Sequence, residues 1–150
     1  MAFNILIADD SETMRAVIKK TVVMAGVPTG EILEAGTGKE VLEILKKTWV
    51  DVILSDINMP EMSGMDLLRE LKQDEVYANI PVILITTESS LARMEQARNL
   101  GAAGYIKKPF LPETIKQILL EVLEKAYAHK IEHEILEDRN GVGADEEMDF

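Results

Sequence analysis

The chain of 150 residues lacks cysteine, has few aromatic residues and contains no long apolar run. Without cysteine, neither a disulfide framework nor a thiolate metal site can form, which fits a reducing compartment. The first apolar run is interrupted at Asp9, and the N-terminal residues lack a basic segment, so the sequence predicts neither a signal peptide nor a membrane span. We therefore expect a cytoplasmic protein with no membrane partner.

Positive charge is also scarce. The 27 acidic residues outnumber the 16 basic ones, and the formal net charge is −11. A surface of this sign repels phosphate backbones, so nucleic acid is not an expected partner. Residues 128–150 alone hold eight acidic and two basic residues. The sequence therefore predicts a change of character near residue 128.

Short apolar runs alternate with segments of helical period along the first 126 residues. Several runs are continuously aliphatic, as in VDVILSD and IPVILITT, which is typical of parallel strands covered on both faces. The alternation predicts an α/β protein, a doubly wound (βα)5 flavodoxin-like sandwich with a parallel sheet of order 2-1-3-4-5. The five predicted strands are 4–8, 32–35, 51–55, 81–86 and 104–107.

Apolar residues recur at helical spacing between the predicted strands. The stripe of the first helix includes Val17, the stripe of the second reaches Trp49, and a weaker fourth stripe begins at Leu91. Glycine and proline residues interrupt the pattern where the helices should start or stop. These interruptions predict five units, each of which is a strand followed by a helix.

The apolar pattern continues beyond the fifth unit. Ile131 and Ile135 follow Tyr127 at helical spacing, before the sequence NGVG breaks the pattern. We expect this extension to offer either a homodimer contact or a handle for a partner, whereas the acidic end is expected to be disordered. The predicted divisions are a domain over 1–126, an extension of the last helix over 127–139 and an acidic tail over 140–150.

Polar residues stand at the ends of four predicted strands. In a doubly wound sheet the carboxyl ends of the strands share one edge, where ligands bind. Three carboxylates would converge there and would need neutralisation, for which Mg²⁺ is an economical candidate because it takes carboxylate and phosphate oxygens. The residues concerned are Asp9, Asp10, Asp56, Thr86 and Lys108.

Each of these residues also has an ordinary explanation. Asp10 or Ser11 suits the N-cap of a helix, Asp56 suits a turn, and Thr86 suits a strand as a β-branched residue. Lys108 suits a solvated position before a proline. Considered together, the residues point to a common site, because four of the five strand ends carry groups that a single reaction would use.

A family resemblance is carried by four stretches of the sequence: ILIADDSETMR, VILSDINMPEMSGMDLL, PVILITTES and GAAGYIKKPF. They closely resemble the receiver domain of two-component response regulators, in particular the chemotaxis CheY type, over about residues 3–126. The resemblance implies a stand-alone response regulator that catalyses only its own phosphorylation and dephosphorylation. Expected partners are a CheA-like sensor histidine kinase, a phosphatase and an output protein such as a flagellar switch protein.

The resemblance also implies a role for each residue of the site. Asp56 would accept the phosphoryl group from a phosphohistidine. Asp10 and Asp56 would bind Mg²⁺ directly with the backbone carbonyl of Asn58, while Asp9 would act through metal-bound water. Mn²⁺ is expected to substitute, and Lys108 would pair with a phosphoryl oxygen.

Other residues would turn the chemistry into a signal. Thr86 would move to hydrogen-bond a phosphoryl oxygen as Tyr105 turns inward, and the surface of helix four, strand five and helix five would change. Asn58 and Glu88 are the pair that favours quick loss of the phosphoryl group in the CheY type. Thr87 replaces the usual alanine and is expected to narrow access to the phosphoacceptor.

Other function classes share parts of this pattern. A flavodoxin-like FMN carrier would need phosphate-cradling groups in its first loop, where this chain has carboxylates that oppose a bare phosphate. A haloacid-dehalogenase-type phosphatase needs a second Asp two residues after a nucleophile on the first strand, and here that position is Ser11 or Glu12. An intermediate receiver in a phosphorelay and a non-phosphorylated pseudo-receiver remain alternatives.

Overall fold

The computed structural model describes residues 2–88 and 90–128, in which strands and helices alternate as predicted. The strands are β1 Phe3–Ala8, β2 Thr29–Ala35, β3 Val52–Ser55, β4 Val82–Thr86 and β5 Gly104–Lys107. The helices are α1 Glu12–Met24, α2 Gly38–Lys47, α3 Gly64–Lys72, α4 Leu91–Asn99 and α5 Pro112–Ala126.

The five strands form one parallel sheet of order β2-β1-β3-β4-β5, which confirms the predicted topology. Alternate residues of a strand point to opposite faces, so each strand supplies both apolar layers. Leu6 packs in the layer of α2, α3 and α4, whereas Ile5 and Ile7 pack in the layer of α1 and α5. Burial on both faces explains the continuously aliphatic runs.

Four of the helices have a serine or threonine as their N-cap residue, at the end of the loop that follows the preceding strand. The side chains of Ser11, Thr37, Ser63 and Ser90 each accept a hydrogen bond from a backbone N–H in the first turn. Such caps satisfy donors that the helix itself leaves unpaired. Pro112 opens α5 at a position where no N–H is needed.

Three large apolar residues of the predicted stripes are exposed rather than buried. Val17 is 45% exposed because the buried side of α1 is narrower than predicted and consists of Ile18 and its helical neighbours. Trp49 is 53% exposed because α2 ends at Lys47 and helical spacing no longer applies. Leu91, at the first position of α4, is 82% exposed.

Four of the five strands begin one to three residues away from the predicted position, whereas β5 has the predicted bounds, and β1 begins one residue earlier, at Phe3. β2 begins at Thr29, three residues earlier than predicted, because its pairing with β1 extends the ladder back to Phe3. β3 and β4 each begin one residue later, at Val52 and Val82.

A hydrogen-bond network closes the amino edge of the sheet, opposite the predicted site. The carboxylate of Asp51 accepts from the backbone N–H of Asn4 at 2.8 Å and from the indole N–H of Trp49 at 3.1 Å. The hydroxyl of Tyr127 donates to the Asp51 carbonyl at 2.9 Å. Burial, and then the nearby Asp51 charge, raises the pKa of Tyr127 to about 12. This edge therefore joins β1, β3 and the end of α5.

Tyr127 is the C-cap of α5, and the described part of the chain ends one residue later. The predicted extension over 127–139 lies almost entirely outside the described residues, and the tail over 140–150 lies wholly outside them. Both divisions therefore stay predictions. Within residues 2–88 and 90–128, no helix has the length and apolar character needed to cross a membrane.

Candidate functional site

Three carboxylates meet at the carboxyl edge of the sheet. β1 and β3 are neighbours, Ala8 pairs with Ser55, and the N–H of Asp56 donates to the Ala8 carbonyl at 2.9 Å. The residues that follow the two strands are therefore adjacent. One carboxylate oxygen from each of Asp9, Asp10 and Asp56 lies within 4.8 Å of the others. The predicted convergence is present, with Asp9 buried, Asp56 largely buried and Asp10 exposed.

Lys108 supplies a positive charge to this acidic cluster. Lys108 follows β5, and its backbone N–H donates to the Thr86 carbonyl at 2.8 Å. The peptide bond between Lys108 and Pro109 is cis. Lys108 Nζ lies 2.9 Å from Asp9 Oδ2 and 3.4 Å from Asp56 Oδ2. The lysine, only 12% exposed, is therefore shared between two of the three carboxylates.

Backbone N–H groups fix the orientation of two carboxylates. Asp9 Oδ1 accepts from the N–H of Ser11 at 2.9 Å, and Asp56 Oδ1 accepts from the N–H of Ile57 at 2.7 Å. The N–H of Asn58 makes a longer bond, of 3.4 Å, to the same Asp56 oxygen. Ser11 is the N-cap of α1, so the ordinary explanation holds for Ser11 and leaves the Asp10 carboxylate in the cluster.

The charge balance at Asp56 is incomplete. Burial raises the pKa of the Asp56 carboxyl above its ordinary value, and the negative charge of Asp9 raises it further. Lys108 and the backbone N–H groups oppose these effects without cancelling them. Three oxygen donors with too little positive charge around them are the donor set that a hard divalent cation prefers. Asp9, Asp10 and Asp56 therefore fit a site for Mg²⁺.

The loop after β3 is packed tightly against the start of α3. The N–H of Gly64 donates to the Ile57 carbonyl at 2.7 Å. A Cβ at Gly64 would lie 2.3 Å from the Asp56 carbonyl oxygen and 2.9 Å from the Ile57 Cα. The sequence pattern predicts only that glycine residues mark helix starts or stops, because the pattern does not reveal how closely two backbone segments approach. Asn58 lies exposed on the same loop.

The predicted switch residues are joined by hydrogen bonds at the end of β4. Thr86 is fully buried, and its hydroxyl oxygen accepts from the N–H of Glu88 at 3.3 Å. The hydroxyl of Tyr105 donates to the Glu88 carbonyl at 2.8 Å. Burial, and then the negative charge of Glu88, raises the pKa of Tyr105. Thr87 is exposed.

Two arginines near the site were not identified from the sequence. Arg15 donates to the backbone carbonyl of Asp9 at 2.6 Å and to the Glu34 carboxylate of β2 at 3.0 Å. Arg93 of α4 donates to the Glu88 carboxylate at 2.9 Å. For Arg93 the only sequence signal is an opposite charge a few residues before its helix, which is common on solvated surfaces. For Arg15 the charged partner lies 19 residues away in sequence.

The fold and the site together define a doubly wound α/β protein with an acidic cation pocket at the switch point of its sheet. The model of the response regulator receiver domain family matches residues 5–120, and the chain belongs to this family. This membership confirms the predicted resemblance. Receiver domains of the CheY type work in phosphorylation-based two-component signalling and have no metabolic catalytic activity.

Named relatives and solved structures are CheY-like. The chemotaxis protein CheY1 of Helicobacter pylori is 41% identical over 80% of this chain and 96% of its own length. The CheY homolog of Campylobacter jejuni is 39% identical over 80% of this chain and 92% of its own. The chemotaxis response regulator CheY4 of Vibrio cholerae has a structure with a TM-score of 0.72 at 34% identity, covering 81% of this chain and 99% of that one.

Membership in this family has two coarse consequences for the site and its partners. Receiver domains generally bind Mg²⁺ at an acidic pocket, and this chain places three aspartates in such a pocket. A CheY-type receiver also interacts with a histidine kinase and with downstream targets. The roles of the individual residues remain predictions.

Proposed function

We propose that this chain is a response regulator in which Asp56 accepts a phosphoryl group from a histidine kinase in a Mg²⁺-dependent reaction. The observation that supports this most is the meeting of Asp9, Asp10 and Asp56 with Lys108 at the edge of the sheet. A carboxylate is a competent phosphoryl acceptor, and phosphoryl transfer needs chiefly positioning and charge neutralisation.

Asp56 is oriented for nucleophilic attack. Its Oδ1 is held by the N–H of Ile57, whereas its Oδ2 faces Lys108. In the proposed transfer, Oδ2 forms a bond to phosphorus as the bond between phosphorus and the kinase histidine breaks, and the imidazole keeps the electron pair. Lys108 then pairs with a phosphoryl oxygen and stabilises the added negative charge.

The acidic pocket would hold the metal through Asp9, Asp10 and Asp56, with the backbone carbonyl of Asn58. When bound, Mg²⁺ or Mn²⁺ would supply positive charge to the carboxylates and to the phosphoryl oxygens. Asp9 is proposed to act through water, because both of its oxygens already accept hydrogen bonds from Ser11 and Lys108.

Signalling would follow from Thr86 and Tyr105. The buried hydroxyl of Thr86 accepts from the Glu88 N–H, and among the described residues no acceptor takes its own proton. That proton is available for a phosphoryl oxygen, and the new bond would favour one arrangement of Thr86 and Tyr105. The surface of α4, β5 and α5 would then change for its target. Asn58, Glu88 and Thr87 are proposed to set how long the signal lasts.

The proposed partners follow the CheY type. They are a CheA-like sensor histidine kinase, a phosphatase and an output protein such as a flagellar switch protein, met in the cytoplasm. We further propose that residues 127–139 offer a contact for a homodimer or for a partner. An intermediate receiver of a phosphorelay would use the same site residues and differ only in passing the phosphoryl group onward.

The test is the intact mass of the full chain after incubation with acetyl phosphate, with Mg²⁺ or with EDTA. We expect one phosphoryl adduct that requires Mg²⁺, persists in the exposed control Asp74→Asn and is absent from Asp56→Ala. An adduct in Asp56→Ala would assign the phosphoacceptor elsewhere. No adduct under any condition would favour the pseudo-receiver.

A second assay separates the chemotaxis regulator from the phosphorelay intermediate. The phosphorylated chain is titrated with a peptide from a flagellar switch protein, and separately mixed with a histidine phosphotransfer domain. Tighter peptide binding after phosphorylation supports the chemotaxis role. Rapid passage of the phosphoryl group to the transfer domain, without peptide binding, supports the relay.

A further inference from the structure

The carboxylate of Glu88 is held by an arginine of α4. Glu88 Oε1 accepts from Arg93 Nε at 2.9 Å, and Arg93 also donates from Nη1 to Gln96 Oε1 at 3.0 Å. Ser90 caps the helix through the N–H of Arg93, so the arginine lies in the first turn of α4. An ion pair therefore links the Glu88 carboxylate to the first turn of α4.

The backbone of the same glutamate contacts both proposed switch residues. Its N–H donates to the Thr86 hydroxyl at 3.3 Å, and its carbonyl accepts from the Tyr105 hydroxyl at 2.8 Å. Glu88 thus connects β4, β5 and α4 through three separate hydrogen bonds. A change in the partner of the Glu88 side chain would therefore affect the backbone only two residues beyond the end of β4.

We propose that Arg93 is a positioning residue that holds the Glu88 carboxylate on α4 and thereby lengthens the lifetime of the phosphoryl group on Asp56. This inference rests on the proposed function, in which Glu88 promotes loss of that group. Arg93 has no part in the family resemblance described above. Its proposed role follows from its contact with the Glu88 carboxylate.

The reaction that Arg93 would slow is hydrolysis of the acyl phosphate. A water oxygen forms a bond to phosphorus, the bond from phosphorus to the Asp56 oxygen breaks, and the Asp56 carboxylate, inorganic phosphate and a proton result. A free carboxylate beside the attacking water orients it by accepting its hydrogen. While Oε1 accepts from Arg93 and its charge is paired, Glu88 is a weaker acceptor for that water.

The expected effect is modest because the pair is partly solvated. The side chains of Arg93 and Glu88 are 37% and 38% exposed. Ion pairs with this much contact with water shift an equilibrium by about two- to fivefold. Loss of the arginine should therefore shorten the phosphoryl lifetime by about two- to fivefold.

The experiment measures decay of the phosphoryl adduct on the full chain by intact mass, after excess acetyl phosphate has been removed. Arg93→Gln should shorten the lifetime, and Glu88→Gln should lengthen it. In the Glu88→Gln background, Arg93→Gln should cause no further change, because the carboxylate that it releases is already absent. Arg98→Gln breaks the more exposed Arg98–Glu95 pair, at 3.6 Å on the same helix, and should leave the lifetime unchanged.

Salt and a conservative variant separate charge pairing from a structural effect. Raising sodium chloride from about 0.1 M to about 1 M screens exposed pairs. The lifetime of the natural protein should then approach that of Arg93→Gln, whose own lifetime should respond little. Arg93→Lys keeps the charge and should recover at least half of the lost lifetime.

An unchanged or longer lifetime in Arg93→Gln would overturn the proposal. A shortening that persists in the Glu88→Gln background would overturn it as well, because the arginine would then act without its partner. Failure of the natural protein to form any adduct would instead refute the proposed function, so the two failures are distinguishable.

Discussion

Replacing Gly64 with alanine should destabilise the protein and distort the acidic pocket. The added Cβ would lie 2.3 Å from the Asp56 carbonyl oxygen and 2.9 Å from the Ile57 Cα, closer than real Cβ atoms approach. Both neighbours are backbone atoms, and the hydrogen bond from Gly64 to the Ile57 carbonyl holds them in place at 2.7 Å. The clash therefore cannot be relieved by a side-chain rotation.

The magnitude follows from what must move. Restoring normal contact requires the loop after β3 to shift by roughly 1 Å, and overpacking of this kind costs about 1–3 kcal/mol. Weakening the Gly64 hydrogen bond adds about 1 kcal/mol. We expect the free energy of unfolding to fall by about 2–4 kcal/mol, which lowers Tm by roughly 5–15 °C in a chain of this length. Since Asp56 lies on the moving loop, phosphoryl uptake should fall by at least about tenfold.

Gly38 provides a matched control. It is also the first residue of a helix, after the N-cap Thr37, and it is also buried. A Cβ at Gly38 would lie 2.7 Å from Cγ and Sδ of Met62, a side chain with three rotatable bonds that can move aside. Gly38→Ala should therefore cost less than about 1 kcal/mol. Urea unfolding followed by circular dichroism and adduct formation by intact mass measure both variants.

The comparison of the two variants is decisive. If Gly64→Ala and Gly38→Ala lose stability to within about 0.5 kcal/mol of each other, the argument from backbone contact is refuted. If Gly64→Ala keeps normal phosphoryl uptake while folded, the loop does not position Asp56 as described.

Three further perturbations test single residues. Glu61 has a φ of 68°, in the left-handed region that favours Asn. Glu61→Asn should therefore raise the free energy of unfolding, measured in urea, by about 0.5–1 kcal/mol. A lower free energy of unfolding would mean that the 3.6 Å ion pair of Glu61 with Lys39 contributes more than the backbone strain. By carbon-13 NMR without Mg²⁺, the Asp56 carboxyl should titrate above its ordinary pKa, and Lys108→Ala should raise that pKa further; a lower pKa would contradict the charge balance. Tyr127 should ionise near its pKa of about 12 in tyrosinate absorbance, a component that Tyr127→Phe removes. Because that pKa is raised on folding, the ionisation contributes stability that is present below pH 10 and is lost as the pH rises toward 12. We expect this contribution to be about 1 kcal/mol, since the ring is only partly buried, and Tyr127→Phe should lack this loss.

The strands and the location of the site were predictable because they depend on local pattern and on a topological rule. Continuously aliphatic runs indicate covered parallel strands, and parallel strands bring their following residues to one edge. Asp9, Asp56, Thr86 and Lys108 therefore could be placed together without coordinates. Their spacing along the chain fixes their neighbours once the sheet order is known.

The exposed positions were less predictable because they depend on where the backbone leaves a helix. Trp49 fits the apolar stripe of α2 only if the helix continues, but Thr48 already has an extended φ of −139°. Leu91 stands at the first position of α4, where the helix has turned its side chain outward. Apolar spacing alone does not show these ends.

The arginine contacts could not be predicted at all. Arg15 reaches from α1 to Glu34 of β2, and Arg93 reaches back to the loop before its own helix. Long side chains have many rotamers, so sequence spacing does not determine their partners. The close approach of Gly64 to Asp56 is likewise a property of the assembled loop rather than of either segment.

The bond from Asp51 to the Trp49 indole has a consequence for optical work on this protein. Trp49 is the sole tryptophan of the chain, and its ring is tied to the amino edge of the sheet. At the rise of a strand, Asp51 and Asp56 are separated by about 16 Å. Intrinsic fluorescence should therefore respond to unfolding and be nearly silent to metal or phosphoryl binding. An indole introduced beside the acidic pocket would report on the chemistry, and Trp49 would then serve as its internal reference.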